Sequence, residues 1–134
     1  MGVQALDHLN MTVQSFEDSA AWYARVLGFE VVEKGVYDGE PWGILKSGSA
    51  LLCLYQHPEL GKADSEGPPS GQHLNHFGLR ISDRAAWEDT IAREKVKVAY
   101  DGPVRWPHST SWYIEDPSGY EIEVALWDDN RIAF

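Results

Sequence analysis

The chain has a single cysteine, Cys53, among 134 residues. One thiol excludes an intramolecular disulfide framework and fits a reducing compartment. Basic residues are also scarce: 11 Lys and Arg stand against 21 Asp and Glu, for a formal charge of −10. They are scattered, which argues against nucleic acid or an anionic membrane as the main partner. No apolar run approaches the roughly 18 residues that a bilayer span requires. The N-terminus has no basic segment leading into an apolar stretch, so a cytoplasmic location is expected rather than secretion. Rings, by contrast, are plentiful. Six Trp and six Tyr can build a core, a dimer surface or a ring-lined pocket.

The length and the 43% hydrophobic content suit one domain, or two small modules sharing a core. In "QALDHLNMTVQ" the apolar Leu9, Met11 and Val13 alternate with His8, Asn10 and Thr12, the period of a strand. "SFEDSAAWYARVLGFE" reads as a helix. Ser15 caps it, Asp18 stands in capping-box relation, and Gly28 suits the left-handed C-terminal position. "EVVEKGV", "PWGILKSG" and "ALLCLYQ" follow as strands parted by Gly-containing turns. Residues 57–73, rich in Pro, Gly and Ser, read as a loop.

The order then repeats. "NHFGLRIS" is a strand and "SDRAAWEDTIAREK" a helix capped by Ser82 or Asp83, with "VKVAY", "STSWYIED" and "YEIEVALW" as further strands. "AAW" recurs at residues 20–22 and 85–87. The prediction is an α+β fold, one domain over residues 1–134 made of two tandem βαβββ modules. Module one covers about residues 1–57, the loop about 58–73 and module two about 74–134.

Strand phase separates the histidines. His73 shares the triplet HLN with His8, yet it falls in the apolar phase of Phe77, Leu79 and Ile81. His76 falls in the other phase, with Gly78 and Arg80, just as His8 opposes Leu9, Met11 and Val13. His76 is therefore the counterpart of His8, and His73 is assigned to the end of the loop. Asp116-Pro117-Ser118-Gly119 reads as a tight turn. Beyond it Tyr120, Ile122, Val124 and Leu126 form the apolar phase, so Glu121 and Glu123 share the opposite face about 7 Å apart. Two imidazoles and one of these carboxylates would make a 2-His-1-carboxylate metal site with open positions.

The order of these elements, with "YARVLGFEV" and the ending DP-x-G-x-x-x-E over Asp116 to Glu123, resembles the vicinal oxygen chelate superfamily. Its members include glyoxalase I, fosfomycin-resistance thiol transferases, bleomycin-resistance proteins and extradiol dioxygenases. The resemblance implies two modules that form a half-open curved sheet around a divalent metal (Fe, Mn, Ni, Co or Zn). It selects His8, His76 and Glu123 as ligands, and implies a small substrate chelated through vicinal oxygens and a homodimer. Isomerases of the glyoxalase type carry a fourth ligand, a Glu, where this chain has Cys53. Extradiol dioxygenases resemble the chain through the three-ligand site and Tyr113. Their acid/base His would fall at Val104, Arg105 or Trp106, and the nearest candidate here is His108. Thiol transferases match in the ligand triad and in Ser111 and Tyr113, but need a cationic site, for which Arg80, Arg105 and Arg131 are the candidates.

Ring-cleaving dioxygenase-like chemistry is thus slightly favoured. Lyase, isomerase or thiol-transferase chemistry is the rival, and metal-free binding of an aromatic compound the non-enzymatic alternative. The candidate catalytic residues are Tyr113, Glu121 and His108. Arg105, as a two-point carboxylate anchor, joins Ser111, Cys53 and Asn10 as candidate substrate contacts.

Overall fold

The computed structural model describes residue 6, residues 8–58 and residues 76–133. His73 and most of the expected loop lie outside these residues. The chain divides into two compact units, residues 1–66 and 67–134. Each carries one helix and a four-stranded mixed sheet, the α+β arrangement expected. No described helix is long and apolar enough to cross a membrane.

In the first unit β1 (Leu9–Val13) leads into α1 (Phe16–Leu27), then β2 (Glu30–Tyr37), β3 (Glu40–Ser47) and β4 (Ala50–Gln56). The sheet order is β1-β4-β3-β2, with β1 parallel to β4 and the other pairs antiparallel. The helix starts and stops where its residues dictate. Ser15 Oγ accepts from the Asp18 amide at 3.2 Å, and Gly28 adopts φ 68° so that its amide reaches back to the last turn. Phe16, Tyr23, Val13, Leu45 and Leu54 are wholly buried. At Gly43 a Cβ would come within 2.5 Å of the Phe16 ring and 2.7 Å of the Glu33 carbonyl oxygen. The absence of a side chain there lets α1 seat on the sheet.

The second unit repeats the pattern with β5 (Phe77–Ile81), α2 (Arg84–Glu94), β6 (Val104–Arg105), β7 (Ser109–Glu115) and β8 (Glu121–Trp127), in the order β5-β8-β7-β6. Asp83, not Ser82, caps α2 by accepting from the Ala86 amide at 3.0 Å. On β8 Ile122 and Val124 form the buried phase, as the alternation predicts, whereas on β7 Ser111 and Tyr113 are buried along with Trp112 and Ile114.

One expected strand is absent. "VKVAY" makes only an isolated bridge, Val98 to Ile114, and the short β6 takes the fourth place in the sheet. The cause is backbone handedness. Lys95 ends α2 at φ 52°, and Tyr100, Asp101 and Gly102 follow at φ 57°, 60° and 120°. Extended pairing does not tolerate such a run.

Candidate metal centre

Register places the candidate residues of the second unit in a single row. Gly78 on β5 pairs with Glu123 on β8, and Glu123 pairs with Tyr113 on β7. Cross-strand partners share a face, so these three positions look away from the buried Ile122 and Val124. Gly78 leaves room there: a Cβ would meet nothing closer than the Glu123 carbonyl oxygen at 3.9 Å.

His76 stands one residue before β5. Its Nε2 lies 3.0 Å from Glu123 Oε2, and its Nδ1 lies 3.6 Å from Glu121 Oε1. The parity argument and the two-carboxylate face therefore meet in one cluster. Ser111 Oγ donates to the other oxygen of Glu123, Oε1, at 2.7 Å. The carboxylate is fixed at one end and offers its free end to the imidazole. All three side chains are partly open to solvent, as a site that receives a ligand must be.

Tyr113 completes the cluster. Its ring lies edge-on to His76 at 5.7 Å and to Tyr100 at 5.2 Å. Burial pushes the phenol pKa up, and the Glu123 charge adds to the effect. A hydrogen bond from the Trp106 side chain acts the other way, while one to Glu123 raises it further. Tyr100 donates its hydroxyl to Glu121 Oε2 at 3.4 Å. A cleft of about 350 Å³ opens beside these groups, lined by Lys97, Ala99, Tyr113, Ile114, Glu115 and Glu121.

The remaining candidates sit elsewhere. Arg105 pairs with Thr110, in the phase opposite Ser111, and clasps Asp128 with both terminal nitrogens at 2.7 and 2.6 Å. This two-point pair holds the Asp128 pKa below its ordinary value. The guanidinium is engaged within the protein. His108 stands in the turn between β6 and β7, where Trp106 N donates to Ser109 O at 2.8 Å. Trp106 reaches Tyr113 with its side chain, whereas His108 stands beside Asp128, whose amide donates to its carbonyl at 3.0 Å. Arg80 shares the site's face through its pairing with Ala125 and makes no ion pair among the described residues.

In the first unit the equivalent register is Asn10 to Cys53, matching Gly78 to Glu123. Cys53 is thus the positional twin of Glu123. It is half-buried, and burial, followed by the Glu33 charge, raises its pKa. His8 precedes β1 as His76 precedes β5.

Sequence reasoning missed Trp106 and Tyr100. Trp106 carried a signal, since it shares the phase of Val104, which pairs with Ser111. Tyr100 gave none, because its placement depends on three successive left-handed residues.

The donor types suit a divalent ion. An imidazole nitrogen and a carboxylate oxygen converge, with Ser111 bonded to the carboxylate's far oxygen and Glu121 3.6 Å from the imidazole's other nitrogen, the places outer-shell groups take at metal centres. Among the described residues no group of three or more His, Cys, Asp or Glu is arranged to hold an ion. The observed arrangement is a ligand pair.

Residues 5–124 match the family model of the Glyoxalase/Bleomycin resistance protein/Dioxygenase superfamily. Among solved structures, a glyoxylase/bleomycin resistance protein/dioxygenase domain from Frankia sp. EAN1pec superposes with a TM-score of 0.77 at 16% identity, covering 97% of this chain and 96% of that one. A lactoylglutathione lyase from Agrobacterium tumefaciens gives 0.67 at 25% identity, covering 94% and 96%. TnmS3, an antibiotic binding protein from Streptomyces sp. CB03234, gives 0.70 at 21%, covering 96% and 99%.

Proposed function

The chain belongs to the glyoxalase/bleomycin resistance protein/dioxygenase superfamily, and from that premise we propose that it is a divalent-metal enzyme acting on a small substrate chelated through two adjacent oxygens. The observation that carries this reading is the 3.0 Å approach of His76 Nε2 to Glu123 Oε2, with Ser111 securing the carboxylate. His8 is proposed as the third ligand, on its strand phase and its equivalence to His76. The working unit is proposed to be a homodimer in the cytoplasm, and sedimentation at several concentrations tests the pairing.

When bound, a divalent ion supplies Lewis acidity to the two substrate oxygens. The protein's own groups do the rest. Tyr113 is a phenol at neutral pH and donates a hydrogen bond to a substrate oxygen that gains charge. Glu121, held by Tyr100, is the candidate proton acceptor. Trp106 and Tyr100 flank Tyr113 and hold its ring in place.

Ring-cleaving oxygenation is placed slightly ahead. Cys53 stands at the register position of Glu123, where an isomerase of the glyoxalase type needs its fourth ligand, a Glu. Lyase or isomerase chemistry is the second reading, favoured by the 25% identity to the Agrobacterium lactoylglutathione lyase.

Metal analysis of protein purified without added metal separates these readings. Iron, with oxygen uptake on addition of catechols, supports oxygenation. Nickel, zinc, cobalt or manganese supports isomerase, lyase or transferase work. A metal-free protein whose His8→Ala variant keeps full ligand affinity would overturn the enzyme reading in favour of a binding protein.

A further inference from the structure

Arg80 stands on β5 two positions beyond Gly78 and on the same face. It pairs with Ala125 as Gly78 pairs with Glu123, so the four positions form a square. Arg80 and Glu123 occupy opposite corners, two residues along and one strand across, roughly 8 Å apart. The other two corners carry no side chain, at Gly78, and a single methyl, at Ala125. A Cβ on Gly78 would meet nothing closer than 3.9 Å, and Ala125 is only half-buried. Within this unit the sheet surface between the carboxylate and the guanidinium is open.

Nothing in the fold uses this charge. Three other arginines of the unit are clasped by carboxylates: Arg84 by Glu88 at 2.8 Å, Arg93 by Asp89 at 3.0 Å and Arg105 by Asp128 at 2.6 Å. Arg80 is exposed, and among the described residues its guanidinium makes no ion pair and no hydrogen bond. An unpaired arginine on a solvent-facing helix is ordinary. Here it stands on the face that bears the His76–Glu123 pair, in a chain of formal charge −10.

The neighbouring charges decide which ligand suits it. Glu121 and Glu123 share the face, and Lys97 and Glu115, opposite in sign, line the cleft beyond Glu121. Alone, the two carboxylates beside His76 repel an anion. A divalent ion held at the pair offsets both charges, which leaves Arg80 as the excess charge beside the open square.

Resting on the chelation reading above, we propose that Arg80 anchors a carboxylate that the substrate carries apart from its two chelated oxygens. The substrate class is then a small acid, with vicinal oxygens at one end and the carboxylate at the other, lying over Gly78 and Ala125. Guanidinium and carboxylate match in two-point geometry. The bare floor leaves room for a ring or a short chain between the two ends. Arg105, the anchor expected from the sequence, lies in the opposite phase and is already filled by Asp128.

The test is calorimetric titration of the Co²⁺-loaded full chain with 3,4-dihydroxybenzoate and with its methyl ester, which keeps the ring and the vicinal oxygens but not the negative charge. The acid should bind about tenfold more tightly than the ester, and the advantage should shrink as salt is raised. Arg80→Gln should bring the ratio to about one. Arg80→Lys, which keeps the charge but not the fork, should retain part of it. Co²⁺ titration and circular dichroism of each variant check the centre and the fold. Failure of both compounds to bind the loaded protein would overturn the chelation reading and the anchor with it. Equal affinity for acid and ester in the wild type, or a preference for the acid that persists in a folded, Co²⁺-binding Arg80→Gln protein, would overturn the anchor alone.

Discussion

Cys53 shows how one residue reports on its surroundings. Its thiol pKa is raised above the ordinary cysteine value, first by burial and then by the Glu33 carboxylate. The reactive thiolate is therefore scarce at neutral pH. Alkylation by iodoacetamide, followed by mass spectrometry, should be slow at neutral pH and should still be accelerating above pH 9. Glu33→Gln should speed it modestly, because the larger cause, burial, remains. Ser111 offers a second residue-scale test. Its hydroxyl fixes Oε1 of Glu123, and loss of such an outer-shell partner typically weakens metal binding by roughly 10–100-fold. Ser111→Ala should show that loss in a competition titration with a chromophoric chelator, while its folding remains intact.

Among the elements, the turn between β7 and β8 sets where Glu123 falls. Asp116 is buried, and its Oδ1 accepts from the Ser118 and Tyr120 amides, both at 2.9 Å. Gly119 takes φ 93°. Asp116→Ala removes the acceptor of both hydrogen bonds and should cost about 1–3 kcal/mol in chemical denaturation. Gly119→Ala should cost about 1 kcal/mol or more through backbone strain. This turn was legible in the sequence because Pro and Gly announce the dihedral angles they permit. So was α1, through Ser15 and Gly28. The segment after α2 was not legible. "VKVAY" has strand composition, but the left-handed run at Tyr100, Asp101 and Gly102 is imposed by packing, and only Val98 reaches β7. The same limit hid Tyr100 and misjudged which residue of "RWPHS" faces Tyr113. Arg105 read as a free anchor, since a two-point partner 23 positions away leaves no local pattern.

At the scale of the whole molecule, the duplicated unit organises the chemistry. Equivalent registers carry Asn10 with Cys53 in one unit and Gly78 with Glu123 in the other, so the same sheet position bears different chemistry in the two units. The second unit bears a His–Glu pair and a phenol, and the first a masked thiol. The choice of His76 over His73 is the point on which the metal assignment rests. Its most direct test is calorimetric titration of Co²⁺ into metal-stripped wild type, His76→Ala and His73→Ala. The account predicts that His76→Ala loses high-affinity binding and that His73→Ala keeps it. Retained binding in His76→Ala with loss in His73→Ala would contradict it.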